Sequence, residues 1–166
     1  MSLNSQNVND NTTIRMVPVE DLFSIIPLLR VLNSTIPEVL LRERLGEMVG
    51  QGYQCAGLYD GGRLIGICGL WMLTKYYVGK HVEPDNVVIL EEYRGRGLGK
   101  RLMEWVHEFA KSQGAIASEL NCYLPNERGN AFWEREGYRK IAWHCQRPIE
   151  SENAIVEANE KSGGSA

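Results

Sequence analysis

The sequence contains few of the residues that would place a protein in a specialised class. Its 166 residues include four cysteines and three histidines. Cys55, Cys68, Cys122 and Cys145 form no CxxC pair and show no Cys/His spacing typical of a zinc site. All four lie in apolar segments, so we expect buried free thiols, no disulfide framework, no bound metal and a reducing compartment.

Positive charge is not in excess either. The chain has 18 Lys and Arg against 21 Asp and Glu, a formal net charge of −3. Such a chain has no basic field to attract nucleic acid or an acidic membrane surface, so neither is expected as a partner. No apolar run is long enough to span a bilayer, and the N-terminus shows no signal-peptide pattern. These features favour a cytoplasmic protein.

The length suits one globular domain with a sizeable core. Residues 1–12 are polar and aperiodic, which predicts a disordered lead. Residues 148–166 become acidic and then rich in Gly and Ser, which predicts a flexible tail. The folded domain is therefore predicted over residues 13–147.

Within this domain, strand and helix patterns follow in the order β-α-α-β-β-β-α-β-α-β. Pro27 and Pro37 fit helix starts, and Asp60-Gly61-Gly62 fits a hairpin turn. Residues 76–85 are predicted as a long connection before a short strand. The predicted strands are TIRMV, YQCAGLY, RLIGICGLWML, NVVIL, AIASELNCYL and YRKIAWHCQ. This order predicts an α/β domain with a mixed, mostly antiparallel central sheet flanked by helices.

A glycine-rich turn joins the strand NVVIL to an amphipathic helix that begins near Leu98. The turn runs Arg94-Gly95-Arg96-Gly97-Leu98-Gly99 and is followed by Lys100. Backbone N–H groups at a helix start lack partners, and they bind anions, phosphate above all. Glycine allows phosphates to approach the backbone, and the basic side chains add charge. The alternative is a simple turn with solvated arginines.

The spacing decides which phosphate loop this resembles. It lacks the Gly-Lys-Ser/Thr of a P-loop and does not fit GxGxxG. Arg94, Gly97 and Gly99 instead fit Arg-x-x-Gly-x-Gly, which resembles the acetyl-CoA pyrophosphate loop of the GNAT superfamily of N-acyltransferases. NCYLPNERGNAFWEREGYRKI resembles that family's second signature, and the element order matches over residues 14–145. A nucleotide-binding protein of another class is the alternative based on the phosphate loop alone.

The resemblance implies a cofactor site at the end of the fourth strand. The loop amides and Lys100 would hold the CoA pyrophosphate, and the strand end would pair with the pantetheine arm. A backbone N–H near Leu90 would polarise the thioester carbonyl. Asn126 matches the asparagine of the second signature, with a helix cap as its alternative role. The implied cofactor residues are Ile89, Leu90, Glu91, Arg94, Gly95, Arg96, Gly97, Leu98, Gly99, Lys100 and Asn126.

The implied reaction moves an acetyl group from acetyl-CoA to a primary amine by direct attack in a ternary complex. An alkyl ammonium with a pKa near ~10 must first lose a proton, which requires a base or a water relay. By resemblance, Glu83 and Asp85 are the candidate bases, with Glu91 and Glu92 as further candidates. Each could instead be a solvated carboxylate.

The leaving thiolate is where the sequence departs from the family. Many members carry a tyrosine at the position of Trp133 that protonates the departing sulfur, and an indole cannot serve as that acid. Tyr123 is one substitute, although it also fits a packing role, and Tyr138 matches a core aromatic. The departure leaves a second function open, that of a non-catalytic acyl-CoA-binding or sensor module.

The acceptor is expected to be a small amine or a protein amine. Trp71, Tyr76, Tyr77 and His81 fall in the segment that should border its site, where aromatics could stack on a cation or cover the sheet. His81 is interpreted as an exposed loop residue and His107 as part of a polar helix face. The last strand, IAWHCQ, is interpreted as an apolar edge that could pair in a homodimer.

Overall fold

The computed structural model of the protein describes residues 11–149. Most of the predicted disordered lead (1–12) and flexible tail (148–166) lies outside these described residues. Thr12, assigned to the lead from the sequence, is the first residue of a strand.

Among residues 11–149, five strands form one sheet in the order β1-β2-β3-β4-β5. The first three pairings are antiparallel, and β4 and β5 pair in parallel. The prediction of a mixed, mostly antiparallel sheet is thus confirmed. The strands are β1 Thr12–Met16, β2 Gln54–Asp60, β3 Arg63–Lys75, β4 Gly79–Ile89 and β5 Ala117–Ser118.

In the part of the chain that the structure describes, four α-helices flank the sheet. A 3-10 segment, Val19–Ile25, leads into the first helix, and Pro27 lies in the first turn of that helix, where its missing N–H costs nothing. Gly114 and Gly137, with φ of 83° and 90°, follow the ends of the last two helices, where a left-handed residue ends a helix at little cost. The helices are α1 Ile26–Leu32, α2 Glu38–Gly50, α3 Leu98–Ser112 and α4 Glu127–Arg135.

The connection between β3 and β4 differs from the prediction. Residues 76–85 were expected to form a long loop, but only residues 76–78 separate the two strands. Lys75 pairs with Gly79, and the register continues through Trp71 opposite Glu83. The charged residues that alternate in β4 are typical of a loop. They form a strand because they pair with the long, apolar β3. Glu83 and Asp85 are therefore strand residues.

Two predicted strands are shortened or missing. AIASELNCYL contributes only the two residues of β5, and residues 138–149 form no strand. In this last segment Ile141 and Trp143 are 65% and 81% exposed. Cys145 is also exposed and Cys122 is half-buried, so burial of all four thiols was a wrong prediction. The proposed dimer edge has no strand on which to form.

The core has two layers, one on each face of the sheet. Helices α1 and α2 pack on one face, where Leu22, Ile25, Leu41 and Leu45 meet Tyr53. On the other face, an apolar stripe of α3 meets inward residues of β2, β3 and β4; the stripe comprises Leu102, Met103, Val106 and Ala110. Within residues 11–149, no helix has both the length and the apolar character needed to cross a membrane.

Candidate functional site

The glycine-rich turn lies between the end of β4 and the start of α3. A short 3-10 turn, Glu91–Tyr93, follows β4, and Gly97 is the N-cap of α3 with φ 74° and ψ 4°. Gly95 has φ 75°, so both glycines adopt the left-handed conformation that a side chain disfavours. A Cβ built on either residue meets no atom within 4 Å. Backbone conformation, not crowding, requires glycine here, and the surface above the loop is open.

The start of α3 offers backbone donors to this open surface. The helix opens with the hydrogen bond from Arg101 N to Gly97 O, 3.1 Å long, and no side chain of the described residues caps it. The first N–H groups of an α-helix have no intrahelical acceptor, and the helix dipole makes this end positive. These donors suit an anion.

The basic side chains of the turn have different roles. Arg94 Nε donates to Ile89 O at 2.9 Å, and Arg96 Nη2 donates to Glu92 O at 2.8 Å. Arg94 therefore braces the glycine turn against the end of β4, and Arg96 braces it against the 3-10 turn Glu91–Tyr93. Lys100 lies 3.8 Å from Glu104 in an exposed pair, which is weak and leaves its ammonium accessible. Of the three, Lys100 is the least engaged within the protein.

The backbone amides at the end of β4 face different edges of the strand. Leu90 N donates to Ile65 O at 2.9 Å, so this amide is already engaged in the sheet. Ile89 pairs with Gly66 at the neighbouring position. Because successive residues of an antiparallel strand point their amides to opposite edges, the Ile89 amide faces away from β3. Ile89, one residue earlier than predicted, has its N–H on the open edge of β4.

The open edge of β4 borders a cleft. Strands β4 and β5 pair only at His81–Ala117 and Val82–Ser118, and then diverge. A cleft of about 150 Å³ occupies part of the gap. Its lining comprises Trp71, Glu83, Pro84, Asp85, Leu120 and Asn121. Both predicted bases, Glu83 and Asp85, thus lie at one cleft.

A cluster of charged residues fixes Glu83 beside the cleft. Lys75 Nζ donates to Glu83 Oε1 and, at 3.3 Å, to Glu119 Oε2. His81 Nε2 lies 3.1 Å from Glu83 Oε1, and Tyr77 Oη donates to Glu119 Oε2 at 2.8 Å. The cluster joins β3, β4 and the residue after β5. We call these five residues, Lys75, Tyr77, His81, Glu83 and Glu119, the β4–β5 charge cluster.

The cluster shifts the pKa values of its members. Burial on its own would raise the pKa of Glu83, but hydrogen bonds from Lys75 and His81 lower it overall. The hydrogen bond to Glu83 raises the pKa of Lys75. The hydrogen bond to Glu119 raises the pKa of Tyr77. Glu83 is therefore ionised and Lys75 charged at neutral pH.

Asp85 is held by a different set of partners. Its Oδ2 accepts from Trp71 Nε1 at 3.1 Å, and its Oδ1 accepts from Asn86 N at 2.8 Å. The Trp71 ring packs edge-on against Tyr53 with centroids 5.2 Å apart. Asp85 is thus oriented by an aromatic pair that belongs to the core on the α1–α2 side.

The second signature forms α4 and its flanks. Asn126 is the N-cap of α4, and its Oδ1 accepts from Gly129 N at 2.8 Å, which is the alternative role considered from the sequence. Phe132 of α4 lies 3.4 Å from the position of a Cβ on Gly99, so the helix borders the glycine turn. Trp133 packs on Tyr138 with centroids 5.3 Å apart. Tyr123 is 57% exposed.

Tyr138 belongs to a polar contact between α3 and β5. Its hydroxyl hydrogen-bonds Ser118 Oγ and lies 2.9 Å from His107 Nε2. Burial raises the pKa of Tyr138 to about 12 and lowers the pKa of His107. From the sequence, His107 was expected on the polar face of α3. In the structure it lies against the half-buried Tyr138.

Two residues of the charge cluster could not be found from the sequence. Lys75 was not singled out, and Glu119 reaches the cluster only through the parallel pairing of β4 with β5. His81 was interpreted as exposed, but it is fully buried. His81, Glu83 and Glu119 place one ligand atom each within 4.8 Å of one another, as a metal site would. The Lys75 ammonium, however, already binds both carboxylates.

The chain resembles acetyltransferases in sequence. It is 29% identical over 80 residues to aminoalkylphosphonate N-acetyltransferase of Salmonella typhimurium, covering 48% of this chain and 52% of that protein. It is 29% identical over 98 residues to an uncharacterized N-acetyltransferase of Halalkalibacterium halodurans, covering 55% and 53%. The matches span about half the length of these curated relatives.

The fold is shared with solved acetyltransferases. An aminoglycoside acetyltransferase from an uncultured soil metagenomic sample, crystallised in complex with trehalose, superposes with a TM-score of 0.72. The superposition covers 86% of this chain and 99% of the other at 15% identity, which speaks for the fold alone. The curled sheet with its diverging β4 and β5 thus belongs to an acetyltransferase fold. Residues 26–138 match the acetyltransferase (GNAT) family, and the chain is a member of that family.

Proposed function

We propose that the protein is an N-acetyltransferase that moves an acetyl group from acetyl-CoA to a primary amine of a small molecule or a protein. The observation that carries the proposal is the glycine turn at the start of α3, open to solvent and next to the gap between β4 and β5. Because the chain belongs to a family of acetyltransferases, this turn is assigned to acetyl-CoA and not to another nucleotide.

The CoA pyrophosphate is assigned to the N–H groups of the turn and of the first turn of α3. The residues are Gly95, Arg96, Gly97, Leu98, Gly99 and Lys100, while the Arg94 N–H donates to Glu91 O at 3.1 Å and so supports the turn itself. Lys100 contributes charge from its side chain, while the arginines keep the turn in shape. The pantetheine arm would lie along the open edge of β4 at Ile89, Leu90 and Glu91, and α4, capped by Asn126, would border it.

In the proposed reaction, the amine nitrogen attacks the thioester carbonyl carbon and forms the amide C–N bond. The C–S bond then breaks and CoA leaves as a thiolate. The Ile89 amide, which faces the open edge, is the proposed donor to the developing oxyanion. Glu83 and Asp85 are the proposed acceptors of the amine proton, directly or through water, because both line the cleft.

The acid that protonates the thiolate is not supplied by Trp133. A thiol with a pKa near about 8.5 leaves without full general-acid help, which is typically worth ~10²–10⁴ in rate. Turnover is therefore expected to be slower than with a tyrosine at this position. Trp133→Tyr tests the second function, because a large gain in turnover would indicate a natural protein specialised for binding acyl-CoA.

The setting proposed is cytoplasmic, where acetyl-CoA and reduced thiols coexist. We also propose a homodimer, but not one formed by pairing of a last strand, since residues 138–149 form no strand. Light scattering on the purified protein measures the oligomeric state directly.

The experiment that tests the function is calorimetric titration with acetyl-CoA, with ATP and NAD as controls. We expect saturable binding of acetyl-CoA alone, followed by acetylated amine products detected by mass. Gly97→Glu should abolish binding, because a carboxylate would project over the turn. Gly114→Glu is the matched control, since Gly114 also has a positive φ and open surroundings but lies at the far end of α3. A folded wild-type protein that binds no acetyl-CoA would refute the proposal.

A further inference from the structure

Two carboxylates line the cleft, but their oxygens are engaged differently. Both oxygens of Asp85 accept a hydrogen bond, from Trp71 and from the backbone of Asn86. Glu83 uses Oε1 for both of its donors, Lys75 and His81. Among the described residues, Oε2 of Glu83 has no hydrogen-bond partner. Glu83 therefore has one oxygen fixed and one to offer.

The second oxygen of Glu83 is also accessible. Within residues 11–149, no buried side-chain nitrogen or oxygen lacks a hydrogen-bond partner. Since Oε2 has no partner, it must keep some contact with solvent, and the Glu83 side chain is 19% exposed. Glu83 lines the cleft. The oxygen is thus placed to accept from a group that enters the cleft.

His81 contacts the fixed oxygen from a buried position. Its Nδ1 lies 3.0 Å from Gly79 O, and its Nε2 lies 3.1 Å from Glu83 Oε1. Both ring nitrogens are thus within hydrogen-bonding distance of an oxygen of β4, so the buried ring helps to fix the position of Oε1.

Lys75 and Glu119 complete the hold on Glu83. The Lys75 ammonium donates to Glu83 Oε1 and to Glu119 Oε2, so it bridges the two carboxyl groups. Glu119 Oε2 also lies 3.8 Å from His81 Nε2 and accepts from Tyr77. Removal of one partner of such a partly buried pair leaves the other without its compensating charge, so Lys75 is the residue on which the position of Glu83 depends most.

We propose that Lys75, His81 and Glu119 are positioning residues that hold Glu83 with Oε1 turned into the charge cluster, so that Oε2 receives the amino group of the acceptor. The inference rests on the proposed function and selects Glu83 over Asp85 as the carboxylate that the amine contacts. It assigns no covalent role to the cluster. Lys75 and Glu119 act through Glu83, and the acceptor does not touch them.

The test uses Lys75, whose side chain is 37% exposed, so that its replacement leaves the core intact. Lys75→Met removes the donor to both carboxylates, and Lys75→Arg keeps a cation there. Lys140→Met is the matched control, because Lys140 forms an exposed pair with Glu134 at 3.2 Å and does not line the cleft. Each variant is assayed for kcat and KM of a simple primary amine, and the Glu83 carboxyl is titrated by ¹³C NMR.

We expect Lys75→Met to raise the pKa of Glu83 and to lower kcat/KM for the amine about 10-fold to 100-fold, the loss typical of a hydrogen bond to a charged group. KM for acetyl-CoA should be unchanged. Lys75→Arg should restore most of the activity, and Lys140→Met should behave as wild type. An unaltered Glu83 titration in Lys75→Met, or equal activity of the Met and Arg variants, would overturn the inference.

The outcomes separate this inference from the proposed function. If wild-type protein neither binds acetyl-CoA nor acetylates amines, the proposed function fails. If wild type acetylates amines and Lys75→Met does so equally well, only the positioning role fails. The NMR titration reports on the cluster in either case, because it needs no substrate.

Discussion

Gly69 is the position where one added methyl group should disturb both the core and the cleft. A Cβ built on Gly69 would lie 2.2 Å from Tyr53 Oη, 2.6 Å from Cε2 and 2.7 Å from Cζ. Real Cβ atoms essentially never approach other atoms under 3.0 Å. The Tyr53 ring cannot yield easily, because it is only 2% exposed and packs on Trp71. Gly69→Ala therefore forces the ring or the strand to move.

The expected cost follows from the strain of overpacking. Insertion of a methyl group into a packed core typically costs about 1–3 kcal/mol. For a chain of this size, each kcal/mol lowers the melting temperature by about 2–4 °C. Gly69→Ala should therefore melt about 2–12 °C below wild type. Movement of Tyr53 would also displace Trp71 and hence Asp85, so kcat/KM should fall as well.

Calorimetry measures the melting temperature and denaturant unfolding measures the free energy of unfolding, each for Gly69→Ala and for two companion variants. Gly46→Ala is the control, since Gly46 lies on the exposed face of α2 and its Cβ would meet nothing within 4 Å. It should be neutral or stabilise the protein by about 0.5–1 kcal/mol. Tyr53→Leu should relieve the clash, so that the double variant is more stable than the sum of the two single effects. A Gly69→Ala protein as stable as wild type would refute the reasoning.

Three further predictions follow from the same structure. Because folding lowers the pKa of Glu83, its ionised carboxylate stabilises the folded state at any pH above the pKa of the unfolded carboxyl, near about 4.3, and this stabilisation is lost as the pH falls through the folded pKa. In urea unfolding from pH 7 to pH 3, the free energy of unfolding should therefore fall less in Glu83→Gln than in wild type. Asn126→Ala should lower the free energy of unfolding by about 1 kcal/mol, and Asn126→Ser should restore it, because Asn126 caps α4; equal stability of the Ala variant would argue against the cap. A thiol reagent should label Cys145 first and Cys122 more slowly, whereas Cys55 and Cys68 should react only on unfolding. Burial raises the pKa of Cys55 to about 12 and that of Cys68 well above its usual value, so neither thiol ionises readily in the folded protein. Early labelling of Cys55, detected by peptide mapping, would contradict this.

Local sequence features were sufficient for the parts of the fold that local physics controls. The turn at Gly95 and Gly97, the amphipathic α3 and the hairpin at Gly61 and Gly62 were predicted because positive φ angles and helical periodicity are written in the residues themselves. The same strand and helix patterns predicted the order of elements, which matched the family's order and which the structure confirms apart from the last strand.

The start of β4 could not be predicted in this way. Its residues Lys80, His81, Glu83 and Asp85 are polar and lie beside a proline, which is typical of a loop. They form a strand because β3 is long enough to pair with them, and His81 is buried because Glu83 and Glu119 provide acceptors. Glu119 lies 38 positions after His81, so no local window contains the pair.

The predicted sites divide along the same line. The anion-binding turn depended on one short segment and its backbone, and the structure gives it an open surface. The prediction of the oxyanion donor depended on which edge of β4 each amide faces. Successive amides along the strand face opposite edges, so an error of one residue reverses the direction. The register with β3 directs the Leu90 N–H to Ile65 O and leaves the Ile89 N–H on the open edge, a difference that the sequence does not reveal.

The short parallel seam between β4 and β5 should set the order in which the molecule opens. The segment that runs from β5 to α4 is joined to the sheet by two register pairs and the backbone hydrogen bonds beside them. The other strands of the sheet pair along most of their lengths. Amides of α4 should therefore exchange with solvent through partial opening, at a lower free energy than those of β2 and β3. A ligand that bridged the diverging strands would hold the seam closed. Hydrogen exchange in α4 would then report occupancy of the cleft from a helix that need not touch the acceptor.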